Sequence, residues 1–177
     1  MADDRLTSRD WVNAGLKTLA RSGFTALKAD TLAKALGVSR GSFYWHFADV
    51  GAYHDAVLQR WREVAYENVV LEVEGTAENR LATLLDRAFR ADGRLERAVR
   101  GWAKAKSMVE AVDARRLGYI RDLLVEGGLA PDEATIRARV VYWAYLGHGL
   151  SPAKPDSAEW RRILAELIYL ATARREG

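Results

Sequence analysis

The side chains best suited to recognition chemistry lie together in one short segment, residues 39–46. The segment combines two hydroxyls, a guanidinium, aromatic rings and an imidazole around one glycine: Ser39, Arg40, Gly41, Ser42, Tyr44, Trp45 and His46. A helix that enters the major groove of DNA needs small residues at its start, which let the backbone approach phosphates, followed by long polar or aromatic groups. Three large aromatic residues in succession are more than a small core can hide. The segment therefore predicts a nucleic-acid contact.

Two short helices are predicted to position this segment. The first spans residues 30–36 and ends at Gly37, which suits the left-handed position after a helix. The second has Ser39 as its N-cap and directs Phe43 and Phe47 inward at i and i+4. Two brief helices joined by a tight turn that contains glycine form a helix-turn-helix.

The rest of the chain also has helical periodicity. There are only three prolines, and apolar residues recur at helical spacing over nearly the whole length. We predict an all-α protein of about nine helices, the first capped by Thr7 and Asp10. The others follow at about 49–73, 77–90, 93–104, 107–126, from Pro131, and 157–173. In the long fourth helix the predicted buried face is Val57, Trp61, Val64, Ala65 and Asn68, and Ser107 with Glu110 is predicted to cap the seventh.

Composition and charge exclude several classes of protein. The 177 residues include no cysteine, which removes disulfides, thiolate nucleophiles and Cys-based metal sites. Residues 1–5 begin acidic, without the apolar segment of a secretion signal, and no window has 18 uninterrupted apolar residues. We therefore expect a cytoplasmic protein without a membrane contact. Residues 1–48 hold seven basic and four acidic side chains, whereas the remainder is neutral, which favours a polyanion partner near the N-terminus.

Residues 7–61 resemble the helix-turn-helix of the TetR family of transcriptional regulators, in the Gly-Val-Ser turn at 37–39 and the Tyr-Trp-His-Phe sequence at 44–47. The resemblance implies a homodimer with a DNA-binding domain at 1–48 and a ligand-sensing and dimerisation domain at 49–177. It also implies that Lys28, Ser39, Arg40, Gly41, Ser42, Tyr44, Trp45 and His46 contact DNA. Two residues depart from the family pattern: Val50 stands where a lysine is common, and Asp30 where the residue is often basic or neutral. Fewer phosphate contacts would weaken binding and flatten its salt dependence.

The C-terminal region suggests a ligand pocket and a dimer interface. Aromatic, apolar and one basic residue on inward stripes could line the pocket: Trp61, Tyr66, Trp102, Met108, Arg116, Tyr119 and Trp143. A filled core is the alternative, and Arg116 could pair with Asp113 instead of a ligand. The eighth helix is apolar all round, and the ninth has a broad apolar stripe, which predicts a four-helix dimer interface. Its predicted residues are Val141, Tyr145, His148, Trp160, Ile163, Leu164, Leu167 and Ile168.

Taken together, the sequence and the resemblance predict a repressor that a small hydrophobic or aromatic effector releases from an inverted-repeat operator. The three histidines form no i, i+4 pair, and no glycine-rich phosphate loop occurs. We therefore expect no enzyme activity, no cofactor and no metal. The alternative is a helical small-molecule-binding protein or enzyme whose N-terminal unit is structural.

Overall fold

The computed structural model describes residues 6–76, 79–151 and 155–174, and all regular structure within these ranges is helical. The α-helical segments are α1 Ser8–Ser22, α2 Ala29–Leu36, α3 Arg40–Tyr44, α4 Val50–Arg62, α5 Asn68–Glu74, α6 Arg80–Arg90, α7 Arg94–Arg100, α8 Lys106–Glu126, α9 Pro131–Leu150 and α10 Ser157–Thr172. A π-helical turn, Glu63–Glu67, makes α4 and α5 one continuous helical run. The described part of the chain thus has nine continuous α-helices, and the predicted all-α fold is confirmed.

The predicted N-cap of α1 and the predicted C-terminal end of α2 are confirmed. The Thr7 hydroxyl accepts from the Asp10 amide at 3.3 Å, and the Asp10 carboxylate accepts from the Thr7 amide at 2.8 Å. Hydrogen bonds from the Thr7 side chain and backbone lower the pKa of Asp10. Gly37 ends α2 with φ of 70°, a left-handed conformation that glycine adopts without the steric cost of a Cβ atom.

Helix boundaries in the middle of the chain differ from the prediction. The predicted helix 93–104 is shorter, because α7 ends at Arg100 and a 3-10 turn, Ala103–Ala105, follows. The α8 helix begins at Lys106 directly after this turn. Ser107 therefore lies inside the helix and is not its N-cap. The predicted helix start at residue 77 lies outside the described residues.

The π turn corrects the predicted buried face of the long fourth helix. Val57 and Trp61 are buried as predicted, but Asn68 is exposed and the buried residue farther along is Val73. A π turn holds more residues than an α turn, so the face that points inward shifts along the sequence after it. The helical periodicity carried through residues 63–67 without this shift, and that is why the prediction for Asn68 was wrong.

Chain contacts divide the protein into two compact units. Unit 1 contains the described residues up to Ala65 together with Arg94–Val109, and unit 2 contains Tyr66–Gly93 and the chain from Glu110 onward. The boundaries of these compact units therefore differ from the predicted functional boundary between residues 48 and 49. Tyr53, Val57 and Trp61 of α4 are all buried in unit 1, so this helix completes the N-terminal core. The functional division stays a prediction.

The core of unit 1 forms around a close approach of α1 and α4. The Tyr53 hydroxyl donates a hydrogen bond to the Trp11 carbonyl at 3.0 Å, and burial raises the pKa of this tyrosine. Gly15 permits the approach, because a Cβ atom there would lie 2.1 Å from Tyr53 Oη and 2.9 Å from Val57 Cγ2. The α7 helix also packs on α1, and its Val99 is fully buried.

Unit 2 has its own apolar core, built from α5, α6, α8, α9 and α10. Five rings at one part of this core, which we call the aromatic cluster, contact one another: Phe89, Tyr142, Tyr145, His148 and Trp160. Polar atoms of the cluster are paired, since the Trp160 indole donates to Asp86 at 2.6 Å and the Tyr142 hydroxyl donates to Asp113 at 2.5 Å. Among the described residues, no helix is long and apolar enough to cross a membrane.

Candidate nucleic-acid interface

The α3 helix is anchored by one aromatic residue and leaves its neighbours exposed. Phe43 is fully buried, with edge-on contacts to Trp11 at 5.5 Å and Tyr53 at 5.2 Å between ring centroids. Phe47, four residues later, packs 5.3 Å from Phe43. The prediction that Phe43 and Phe47 face inward is confirmed. Between these two rings, Tyr44 and Trp45 are exposed, whereas His46 is half-buried and its ring lies 6.4 Å from that of Trp11.

The predicted DNA-contacting residues lie on this outer surface. Six are exposed and two are half-buried: Lys28, Ser39, Arg40, Gly41, Tyr44 and Trp45, then Ser42 and His46. Trp45 is 79% exposed, an unusual position for the largest apolar side chain. An exposed ring beside an exposed guanidinium can contact sugar, phosphate and the methyl groups of thymine.

Arg40 is held by two neighbours. Its Nη2 donates to the Tyr44 hydroxyl at 3.3 Å, and its guanidinium carbon lies 5.8 Å from the centre of that ring. The Asp30 carboxylate on α2 lies 3.4 Å from Arg40 Nε. The hydrogen bond to Tyr44 and the charge of Asp30 raise the pKa of Arg40. This contact was not predicted from the sequence, although opposite charges on both sides of the predicted turn were its signal.

The described residues between 6 and 48 carry exposed positive charge. Besides Lys28 and Arg40, four cations of this range are exposed: Arg9, Lys17, Arg21 and Lys34. Exposed lysine and arginine side chains attract the phosphates of nucleic acid at long range, and each phosphate they neutralise releases a counterion. The basic side chains of residues 6–48 are therefore available at the surface.

The residues predicted to line a ligand pocket have varied surroundings. Trp61 and Trp102 are buried in unit 1, where Trp102 stacks on Phe24 at 6.1 Å and meets the His54 ring edge-on at 5.0 Å. Met108, also in unit 1, is half-buried. In unit 2, Tyr66, Arg116 and Tyr119 are half-buried, whereas Trp143 is 63% exposed. The Tyr119 hydroxyl donates to Glu74 at 2.6 Å.

Arg116 lies next to the aromatic cluster. Its guanidinium carbon is 5.5 Å from the centre of the Tyr145 ring, a cation–π geometry. Asp113, which the sequence offered as a partner of Arg116, accepts a hydrogen bond from the Tyr142 hydroxyl. Arg116 and two tyrosines thus meet at one place in unit 2, where a charged group borders an aromatic surface.

The residues predicted for the dimer interface lie at different depths. Val141 and Trp160 are buried inside unit 2 itself, so they have no free surface for a second chain. Ile163 is exposed, and five are half-buried, namely Tyr145, His148, Leu164, Leu167 and Ile168. The Nε2 atom of His148 lies 3.0 Å from the Phe89 carbonyl oxygen.

A different set of apolar residues on α9 is exposed. These residues, which we call the α9 face, are Ile136, Val140, Trp143 and Leu150. The opposite side of the same helix is buried through Ala134, Ala138, Val141 and Tyr142. The prediction of a helix that is apolar all round concerned residues 140–146, where Val140 and Trp143 are exposed while Val141 and Tyr142 are buried. On α10, Ile163, Tyr169 and Leu170 are exposed as well.

Within the ranges that the structure describes, no group of three or more histidine, aspartate or glutamate side chains could hold a metal ion.

The fold and the exposed α3 segment define a helix-turn-helix protein. Residues 12–49 match the family described as "Bacterial regulatory proteins, tetR family". The predicted resemblance is confirmed over this N-terminal segment.

Solved structures of two regulatory or binding proteins share the fold over nearly the whole chain. The ketosteroid transcriptional regulator KstR2 of Mycobacterium tuberculosis is 20% identical, with a TM-score of 0.61 and coverage of 99% of this chain and 98% of that one. The multidrug binding protein EbrR, solved with imidazole, is 22% identical, with a TM-score of 0.58 and coverage of 93% and 96%. At these identities the likeness establishes the helical fold.

Proposed function

We propose that this protein is a homodimeric repressor that binds an inverted-repeat DNA operator through α3 and is released by a small-molecule effector. The observation that carries the proposal is that Arg40, Tyr44 and Trp45 are exposed, while the buried ring of Phe43 anchors the same segment in the core. Such an arrangement has little structural purpose, whereas it suits contact with bases and phosphates. A DNA-binding regulator acts where the chromosome is, so we propose a cytoplasmic location.

The first experiment is selection of random duplex DNA by the purified protein, with sequencing of the retained pool. We expect an enriched inverted repeat, because a two-fold dimer presents two α3 helices to one face of DNA. A pool without any enriched sequence at low salt would contradict the proposal and favour a small-molecule carrier or enzyme.

Substitution of Arg40 tests directly whether the exposed side of α3 contacts DNA. We expect Arg40→Ala to weaken binding to the selected operator by about tenfold or more, because an arginine that contacts a base contributes about 1–3 kcal/mol. Fluorescence anisotropy with a labelled duplex measures the change. The control is Arg161→Ala, which removes an exposed arginine from α10 in unit 2 and should leave DNA affinity unchanged. Equal affinities of the two variants would contradict the assignment of α3.

For the effector we propose a small aromatic or hydrophobic molecule that binds in unit 2 at the aromatic cluster. The half-buried Tyr145 and His148 provide ring surface, and Arg116 provides a positive charge for an acidic substituent. Binding there would shift the population toward a state with lower DNA affinity. Since such coupling is reciprocal, operator DNA should weaken effector binding by the same factor.

A matched pair of adjacent arginines tests this effector site. We expect Arg116→Met to lose most of the response to aromatic carboxylates such as benzoate, measured as release of the labelled operator. Arg115→Met is the control, because Arg115 is exposed and lies 3.7 Å from Glu67. The proposal for Arg116 fails if both variants release DNA at the same benzoate concentration as the parent protein.

A further inference from the structure

The contact between Asp30 and Arg40 carries an inference about base recognition, and it rests on the proposed function. Asp30 is the second residue of α2 and Arg40 is the first of α3, so the pair spans the turn of the helix-turn-helix. Both side chains are more than half exposed. An exposed pair of this kind adds little to the stability of the fold. What the pair does fix is the direction of the guanidinium.

The geometry leaves a particular edge of the guanidinium available. Nε is beside the Asp30 carboxylate at 3.4 Å, and one N–H of Nη2 is used by the Tyr44 hydroxyl at 3.3 Å. Arginine has five N–H donors in a rigid fork, so both N–H groups of Nη1 and one of Nη2 remain beyond these two contacts. These groups lie at the end of the fork, and two parallel donors are what the O6 and N7 acceptors of guanine require.

We propose that Asp30 is a positioning residue for base recognition, and that it holds Arg40 for a bidentate contact with a guanine in each operator half-site. Asp30 does not itself touch the base. It restricts a long, flexible side chain before DNA arrives, so less conformational entropy is lost on binding. Its negative charge near the DNA backbone also disfavours contacts that involve phosphates alone. Both effects increase the preference for the cognate sequence over other DNA.

This role explains why an acidic residue can stand near a polyanion. A basic residue at position 30 would add affinity for any duplex, because phosphate contacts carry no sequence information. An acidic residue gives up some of that general affinity and improves discrimination. Arg40 would otherwise be free to turn toward a phosphate, where its donors would be used without regard to sequence.

The test begins with the operator obtained from the random duplex pool. Binding of the parent protein and Arg40→Lys to single-base variants of that operator identifies the base pair that Arg40 reads, since lysine keeps the charge but loses the fork. We expect a G·C pair there, with discrimination of about tenfold or more over A·T. Asp30→Asn should reduce this ratio by about fivefold or more while binding to an unrelated duplex strengthens.

Three further variants separate positioning from a simple change of charge. Asp30→Glu retains the carboxylate and should recover part of the discrimination. Tyr44→Phe removes the second neighbour of the guanidinium and should lower the ratio in the same direction. Asp55→Asn removes an equal charge from unit 1, but Asp55 pairs with Lys104 at 2.8 Å, so it should leave the ratio unchanged. Circular dichroism checks that each variant is folded.

The outcomes also distinguish this proposal from the proposed function. An operator whose G·C preference is the same in the parent and in Asp30→Asn would overturn the positioning role and leave the regulator intact. An Arg40-dependent preference for a base pair other than G·C would overturn the guanine contact. If the parent protein enriches no sequence, both the proposed function and this inference are wrong.

Discussion

Gly15→Ala is expected to destabilise the protein by about 2 kcal/mol or more, the net of overpacking and of the helix propensity that alanine adds. The new Cβ atom would lie 2.1 Å from Tyr53 Oη and 2.9 Å from Val57 Cγ2. Neither neighbour can withdraw without cost. Tyr53 is fully buried, its hydroxyl is bonded to the Trp11 carbonyl, and its ring contacts Phe47 at 4.9 Å.

A thermal melt followed by circular dichroism measures this effect, with an expected fall in Tm of about 5 to 10 °C. Gly118→Ala is the matched control, because Gly118 lies within α8 and nothing approaches its Cβ position within 4 Å. That substitution should stabilise by about 0.5–1 kcal/mol. In a double-mutant cycle, Tyr53→Phe should relieve part of the clash. Equal melting temperatures for Gly15→Ala and Gly118→Ala would show that α1 and α4 are farther apart.

Trp143→Asp is expected to convert the proposed dimer into a monomer at micromolar concentration. Trp143 belongs to the α9 face and is 63% exposed, beside Val140 on the same exposed stripe. A contiguous exposed apolar face of this kind marks an interaction surface. In a two-fold dimer each substitution occurs twice, so losing the burial of one large side chain per chain costs about 4 kcal/mol or more in association.

Sedimentation velocity gives the oligomeric state. Leu71→Asp is the control, since Leu71 is 71% exposed on α5, outside α9 and α10. It introduces the same charge and should leave sedimentation unchanged. The monomeric variant should also lose most of its affinity for an inverted repeat, because one helix-turn-helix can occupy only one half-site. A Trp143→Asp protein that remains dimeric would exclude the α9 face as the interface.

Local signals in the sequence predicted several features of the fold. The capping pair at Thr7 and Asp10, the left-handed Gly37 and the inward rings of Phe43 and Phe47 all depend on residues a few positions apart. Their geometry is determined by backbone dihedrals and by helix periodicity, so the sequence is sufficient. The exposure of Tyr44 and Trp45 at the end of α3 followed from a related argument, since a short segment cannot bury three successive large rings.

Other features depend on packing that periodicity does not contain. The run at residues 140–146 has no polar side, so periodicity could not divide it into the buried Val141 side and the exposed Trp143 side. The π turn at 63–67 also had no local signal, and the inward positions after it are the half-buried Val69 and the buried Val73 instead of Asn68. Trp102 was assigned to a pocket because its helix face was apolar, whereas its ring packs against Phe24 and His54.

The distribution of the six tryptophans also has a spectroscopic consequence. Trp11, Trp61, Trp102 and Trp160 are buried, whereas Trp45 and Trp143 are open to solvent. A neutral collisional quencher such as acrylamide should therefore act mainly on the last two. Trp45 lies on the proposed DNA-binding surface, and Trp143 lies on the α9 face. The variants Trp45→Phe and Trp143→Phe would therefore assign the quenchable emission to one surface or the other. The protein thus carries an intrinsic optical reporter on each of these surfaces, and no label is needed to observe them.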